Sequence, residues 1–176
     1  MSDETFYTVA GLSIIGMIIF IIIIGVILLA LYVLTAYPLF QILKAVDYDL
    51  AWLAWIPFCQ YFAITMAFNY KNEPNIQAFG IPMPRPAAGF ASLIASILAR
   101  FIPFIGKVFP ILALLINGCI LGEMYDVCED SEPGKNLGMG IVSSLIWFVQ
   151  IYMLFKFMGK AKRGEIDLKT YAARHQ

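Results

Sequence analysis

Gly16-Met-Ile-Ile-Phe-Ile-Ile-Ile-Ile-Gly-Val-Ile-Leu-Leu-Ala30 is apolar on every face that a helix can present. It lies at the centre of residues 5–43, a stretch without a single charged side chain. A surface helix of a soluble protein needs a polar face, and this one has none. About 20 such residues, rising about 1.5 Å each, cross the hydrocarbon core of a bilayer. Residues 12–36 reach that length with room to tilt. The match to a cleaved signal peptide is poor. Such a peptide has a basic start and an apolar run of about 7–15 residues. This chain begins Met-Ser-Asp-Glu-Thr, and its apolar run is much longer. The segment is expected to stay as a membrane anchor.

Composition agrees. Of the 176 residues, 61% are hydrophobic and 14% charged, and the mean hydropathy is +0.80. A soluble domain carries about 25% charged residues. The three cysteines, Cys59, Cys119 and Cys128, are scattered and suggest neither a disulfide framework nor metal-ligand spacing.

Outward from the first span, Leu39, Ile42, Leu43, Val46 and Leu50 recur at helical spacing. They predict a short interfacial helix at about 38–48, after a bend at Pro38. A second uncharged run, 50–69, opens with Trp52 and Trp55, suited to a membrane interface, and carries Pro57 as a helix break. Residues 69–86 are polar and proline-rich, which reads as an exposed, extended loop. Residues 87–122 give two short spans, 87–102 and 107–123, with a tight turn at Pro103–Gly106. The alternative is one re-entrant hairpin, which brings Arg100 and Lys107 toward the bilayer centre at about 2.5–3.5 kcal/mol each. An acidic loop, 123–135, precedes a last span at 137–157 and a basic tail, 159–176. The expected fold is an all-α integral membrane helical bundle of about five transmembrane helices with one interfacial helix. The membrane domain covers 12–158, behind a short external segment, 1–11.

Charge chooses the orientation. With the N-terminus outside, Lys44, Arg100, Lys107, Lys156, Lys160, Lys162, Arg163, Lys169 and Arg174 lie inside, and only Lys71, Arg85 and Lys135 lie outside. Nine against three satisfies the positive-inside rule. The expected location is the plasma (inner) membrane, multi-pass, with the C-terminus cytoplasmic and the acidic loop on the opposite face from the tail.

Several patterns suggest helix packing. Ala91, Ala95 and Ala99 form one small-residue stripe, and Gly118–Gly122 and Gly134–Gly138 form two more, continuing through Gly140 and Ser144. Such faces let helix backbones approach, within the bundle or against another protein. Asn117 and Gln150 are expected to hydrogen-bond between helices, at about 0.6 kcal/mol per contact. Ile56-Pro57-Phe58 is echoed by Ile102-Pro103-Phe104, so Pro57 and Pro103 are the expected helix breaks; paired breaks also occur in transporters.

Glu123, Asp126 and Asp130 place acids at the C-terminal end of a helix, where the dipole disfavours each by about 0.3–1 kcal/mol. A divalent cation or a basic partner would offset that cost. The spacing does not match an EF-hand loop, and these three are the weak candidates for a metal in a chain otherwise expected to bind none. No catalytic or cofactor-binding residue is found. The one histidine, His175, is the penultimate residue. There is no phosphate loop, dinucleotide fingerprint or nucleophile elbow. The basic residues from Lys156 to Arg163 suit anionic lipid rather than nucleic acid.

The segment Tyr37-Pro-Leu-Phe-Gln-Ile-Leu-Lys-Ala-Val-Asp-Tyr-Asp-Leu-Ala-Trp-Leu-Ala-Trp-Ile-Pro-Phe58 resembles the entry motif of a family of small bacterial multi-spanning membrane proteins of unknown function. Ile102-Pro103-Phe104 resembles that family's second break, and the likeness extends over residues 37–157. A glycine common after Lys-Ala is replaced by Val46-Asp47, and the Pro74–Pro86 loop is longer. The resemblance implies an accessory role beside protein-export machinery and transfers no functional residues.

The function expected on these grounds is a non-enzymatic accessory or scaffolding subunit of a bacterial membrane complex. Its partners are the lipid bilayer and other membrane proteins or further copies of itself. The alternative is a small-solute or ion channel or transporter acting as an oligomer. A weaker third reading is an intramembrane enzyme or immunity factor using Glu123, Asp126 and Asp130.

Overall fold

The computed structural model describes residues 3–101 and 108–175. Among these are eight α-helices, one 3-10 helix and one two-stranded hairpin. The chain divides into two units, Met1–Thr35 and Ala36–Gln176.

The first unit is helical, the opening part of α1 (Asp3–Ala45). From Ile15 to Ala30 every side chain is exposed. Among the described residues, two helical segments are long and apolar enough to cross a membrane, Ile15–Ala45 and Val108–Glu129.

In the second unit, the end of α1 replaces the expected interfacial helix. Pro38 lies inside α1 and does not break it. Ala36, Leu39, Ile42 and Leu43 are buried, so the amphipathic face seen in the sequence is covered by protein. The helix ends where Asp47 takes a left-handed conformation (φ 55°) and the Tyr48 N–H donates to the Leu43 carbonyl at 3.1 Å. This is a Schellman-type stop.

The expected span 50–69 is interrupted. A 3-10 helix, Ala51–Trp55, is followed by a turn through Pro57 and Phe58 (φ 71°) and then by α2 (Gln60–Ala67). Eight residues of α2 rise about 12 Å, less than half of a bilayer core. The proline-rich loop is a β-hairpin: β1 (Asn75–Ala78) pairs antiparallel with β2 (Ile81–Pro84) around Phe79 and Gly80, both at positive φ. Pro82 and Pro84 lack an N–H, which an edge strand tolerates.

A short α3 (Arg85–Gly89) leads into α4 (Ala91–Phe101), which packs against α5 (Val108–Glu129). Ala91 and Ala95 are buried with Ala113, and Asn117 Nδ2 donates to Ser92 Oγ at 2.5 Å. The two helices are therefore antiparallel. Then α6 (Leu137–Leu145) runs back along α5, with Gly122 beside Leu137, Gly118 beside Ile141, and the Ser144 hydroxyl donating to the Leu114 carbonyl at 3.0 Å.

The expected span 137–157 breaks at Ile146, which takes an extended conformation (φ −114°, ψ 96°) between α6 and α7 (Trp147–Lys162). Along α7 the contacts return to the end of α5: Phe157 packs on Tyr125 at 5.1 Å, and Lys160 Nζ donates to the Cys128 carbonyl at 3.0 Å. The segment is a helical hairpin rather than one crossing. No proline or glycine marks the break; the contacts at its far end hold it. A last helix, α8 (Leu168–His175), buries Tyr171 against Tyr70, edge to face at 5.0 Å. The core thus collects Leu43, Ile64, Leu121, Met124 and Phe157 from four helices, with Phe68 just past the end of α2.

Candidate functional site at the end of α5

The polar end of α5 is where chain segments distant in sequence converge. Arg85 opens α3 directly after the Pro84 of β2, and it is 3% exposed. Its Nε donates to the Glu73 carbonyl at 3.0 Å, and its Nη1 to the Thr65 carbonyl at 3.0 Å. Nη1 and Nη2 also donate to the two Glu123 carboxylate oxygens at 3.0 and 2.7 Å. This bidentate geometry is the strong form of the Arg–carboxylate pair. One side chain ties α2, the hairpin loop, α3 and α5 together.

Asp126, one turn further, is 3% exposed and organises the following loop. Its carboxylate accepts from the Gly134 N–H at 2.6 Å, the Asn136 N–H at 2.8 Å and the Ser131 hydroxyl at 3.3 Å. Gly134 has φ 86°, a left-handed conformation that favours glycine.

Beyond Asp126 the acids pair with the tail. Glu129 accepts from Lys156 Nζ at 2.5 Å, Asp130 pairs with Arg174, and the Tyr171 hydroxyl donates to the Ser131 carbonyl at 2.9 Å. The sequence places the acidic loop and the tail on opposite faces of a bilayer. These contacts correct that placement, because an ion pair cannot bridge a hydrocarbon core about 30 Å thick.

The weak metal candidates therefore do not converge. Glu123 is held by Arg85, Asp126 by backbone N–H groups, and Asp130 by Arg174. Among the described residues no three His, Cys, Asp or Glu side chains come together to hold a metal. The basic partner that the helix dipole called for is the chain itself.

A cleft of ≈ 200 Å³ opens above the Arg85–Glu123 pair, rimmed by Tyr70, Lys71, Glu73 and Gly134. Burial raises the Tyr70 phenol above its ordinary pKa, and the charges of Glu123, Asp126 and Glu73 raise it further. Burial likewise raises the Tyr171 phenol. Both stay protonated at neutral pH. With its main cation and carboxylate engaged with each other, this end of the molecule is a structural clasp.

The packing residues divide. Gly118 and Gly122 are close-approach positions, where an added Cβ would meet the Ile141 Cα at 2.8 Å and the Leu137 Cα at 3.0 Å. Their partner on α6 is Gly140, whose Cβ would lie 2.2 Å from the Gly118 carbonyl oxygen. Gly138 meets nothing within 4 Å, and Gly134 belongs to the turn, so neither packs helices as expected. Ala91 and Ala95 pack on Ala113. The Ala99 side chain and Pro103 lie outside the described residues. Pro57 sits in the turn before α2. Sequence reasoning missed Arg85, placed between Pro84 and Pro86 in an apparent loop.

Protein-family models, curated proteins and solved structures were compared with the chain, and none matches it.

Proposed function

We propose that the protein is a non-enzymatic accessory or scaffolding subunit of a bacterial plasma-membrane complex, with its N-terminus outside and its C-terminus cytoplasmic. The observation that carries this reading is the first unit. Its side chains from Ile15 to Leu29 include exposures from 39% at Ile24 to 63% at Phe20 and Leu29. Such a surface suits lipid and the helices of other membrane proteins.

The five apolar segments of the sequence are the membrane-embedded parts in this proposal. The α1 helix crosses once, and α3 with α4 (85–101, about 25 Å of helix) crosses as a returning pair with α5. Residues 50–69 and the α6–α7 hairpin dip in and return. Three crossings keep the same parity as five, so the termini stay on opposite faces. Lys44, Lys71, Arg85, Lys135, Lys156, Lys160, Lys162, Arg163, Lys169 and Arg174 then share the cytoplasmic face, ten of the chain's twelve Lys and Arg. That bias supports the orientation more strongly than nine against three.

The test is the mass and composition of the particle extracted from native membranes in mild detergent. A stoichiometric second protein is expected. A symmetric oligomer of this chain alone, active in a liposome flux assay, would refute the scaffold reading in favour of a conduit.

A further inference from the structure

Away from the clasp, a groove of ≈ 250 Å³ lies where the last turn of α1 meets the last turn of α7. It is lined by Gln41, Lys44 and Ala45 from α1 and by Ala161 and Lys162 from α7. Tyr37, Gln41, Lys44 and Ala45 share one face of α1, because they recur at helical spacing. The Lys162 ammonium lies over the Tyr37 ring, 5.9 Å from its centroid, so α7 brings its cation onto that same face. Lys44 and Lys162 are both exposed.

The neighbouring cations of α7 are already engaged. Lys156 pairs with Glu129, Lys160 donates to the Cys128 carbonyl, and Arg163 pairs with Glu165. Among the described residues, Lys44 and Lys162 take part in no ion pair and no acidic side chain lines their groove. Asp47 and Asp167 line a separate pocket with Lys169. Each lysine stands at a helix C-terminus, which carries about half a negative charge. Two full cations outweigh two such ends, and the groove keeps a net positive charge.

Its depth is marked by aromatic side chains. Tyr37, Trp52 and Trp55 are 38%, 53% and 40% exposed, and Trp55 lies against Phe40 with ring centroids 6.3 Å apart. Exposed amphipathic rings directly after the apolar run of residues 12–36 suit the boundary between acyl chains and headgroups. Lys44 follows Tyr37 by about 10 Å of helix, and its long side chain reaches back into the headgroup layer.

We infer that this groove binds the phosphate of an anionic phospholipid of the cytoplasmic leaflet, with Lys44 and Lys162 flanking the phosphate and the Gln41 amide donating to it. Basic pockets between membrane helices suit anionic headgroups, and lysine meets phosphate as a point charge. The inference rests on the membrane reading, which brings lipid to that depth.

In the experiment, the full chain in mild detergent is offered equal amounts of phosphatidylglycerol and phosphatidylcholine, and native mass spectrometry counts each lipid retained. One phosphatidylglycerol per chain is expected, preferred about tenfold over phosphatidylcholine. Lys44→Gln with Lys162→Gln should abolish that preference. Lys135→Gln with Lys169→Gln, which removes the same charge from the cytoplasmic face, should keep it. Equal loss in both double variants, persistence in the first, or no preference in the unaltered chain would overturn the inference. Inorganic phosphate at the concentration of the lipid should leave the lipid bound; displacement would assign the groove to free phosphate instead. Flotation with phosphatidylcholine vesicles tests the membrane reading separately. A chain that floats without a lipid preference loses the groove alone, and a chain that does not float loses both.

Discussion

Gly140→Ala should be one of the most damaging single-methyl changes in the chain, and Gly138→Ala, two residues away on the same helix, should be harmless. At Gly140 the added Cβ would lie 2.2 Å from the Gly118 oxygen, 2.5 Å from the Gly122 nitrogen and 2.8 Å from the Gly122 Cα. All three are backbone atoms, so no rotamer change relieves the overlap. Restoring ordinary van der Waals separation moves α6 away from α5 by about 1–1.5 Å. Overpacking of this kind costs about 1–3 kcal/mol. At Gly138 nothing lies within 4 Å, and replacing a helical glycine by alanine gains about 0.5–1 kcal/mol. The helical gain is common to both positions, so the variants differ by the overpacking cost of about 1–3 kcal/mol. At about 3 °C per kcal/mol for a chain of this size, their melting temperatures differ by about 3–9 °C. Thermal unfolding of the detergent-purified variants, followed by circular dichroism, measures this directly. A Gly140→Ala protein as stable as Gly138→Ala would refute the close approach of α5 and α6.

Three further outcomes follow from the clasp. Arg85→Met or Glu123→Leu alone should destabilise by about 3–5 kcal/mol by stranding a buried charge, whereas the double variant should recover much of the loss; a double-mutant cycle in thermal unfolding without that recovery would count against the buried pair. Cysteines at positions 130 and 174 should be joined in intact membranes by a bifunctional thiol reagent longer than a disulfide's reach, because the long Arg174 side chain pairs with Asp130; failure where an engineered control pair is joined would restore the two-faced topology. Hydrogen bonds from the Thr170 hydroxyl and N–H, and from the Lys169 N–H, hold the Asp167 carboxyl at the start of α8 below its ordinary pKa. A depressed carboxyl stabilises the folded form above its unfolded pKa of about 3.9 and loses that effect as pH falls through the folded value. Docking of α8 should therefore loosen below about pH 4, seen as lower amide protection around Tyr171 relative to the intrinsic exchange rate at each pH, and Asp167→Asn should weaken that pH dependence.

Residues 12–36 read as long and apolar enough to cross a membrane because a helix apolar on all sides offers water no polar face, a property of the local sequence alone. Helical character also followed from local pattern, since Leu39, Ile42 and Leu43 face one way whatever covers them. Gly118 and Gly122 were legible for the same reason: their spacing on α5 makes a notch. Composition could not say which residue of α6 fills it, because Gly138 and Gly140 look alike until α6 is rotated against α5. Nor could it show the reversal at Ile146, which has no proline or glycine and is held by Phe157, Lys156 and Lys160 meeting the end of α5. Arg85 read as a loop cation, and only folding the hairpin over α2 and α5 brings four acceptors within its reach. Local chemistry sets what each segment prefers. Which segments satisfy one another's charges and carbonyls depends on distances that exist only after the chain has folded back on itself.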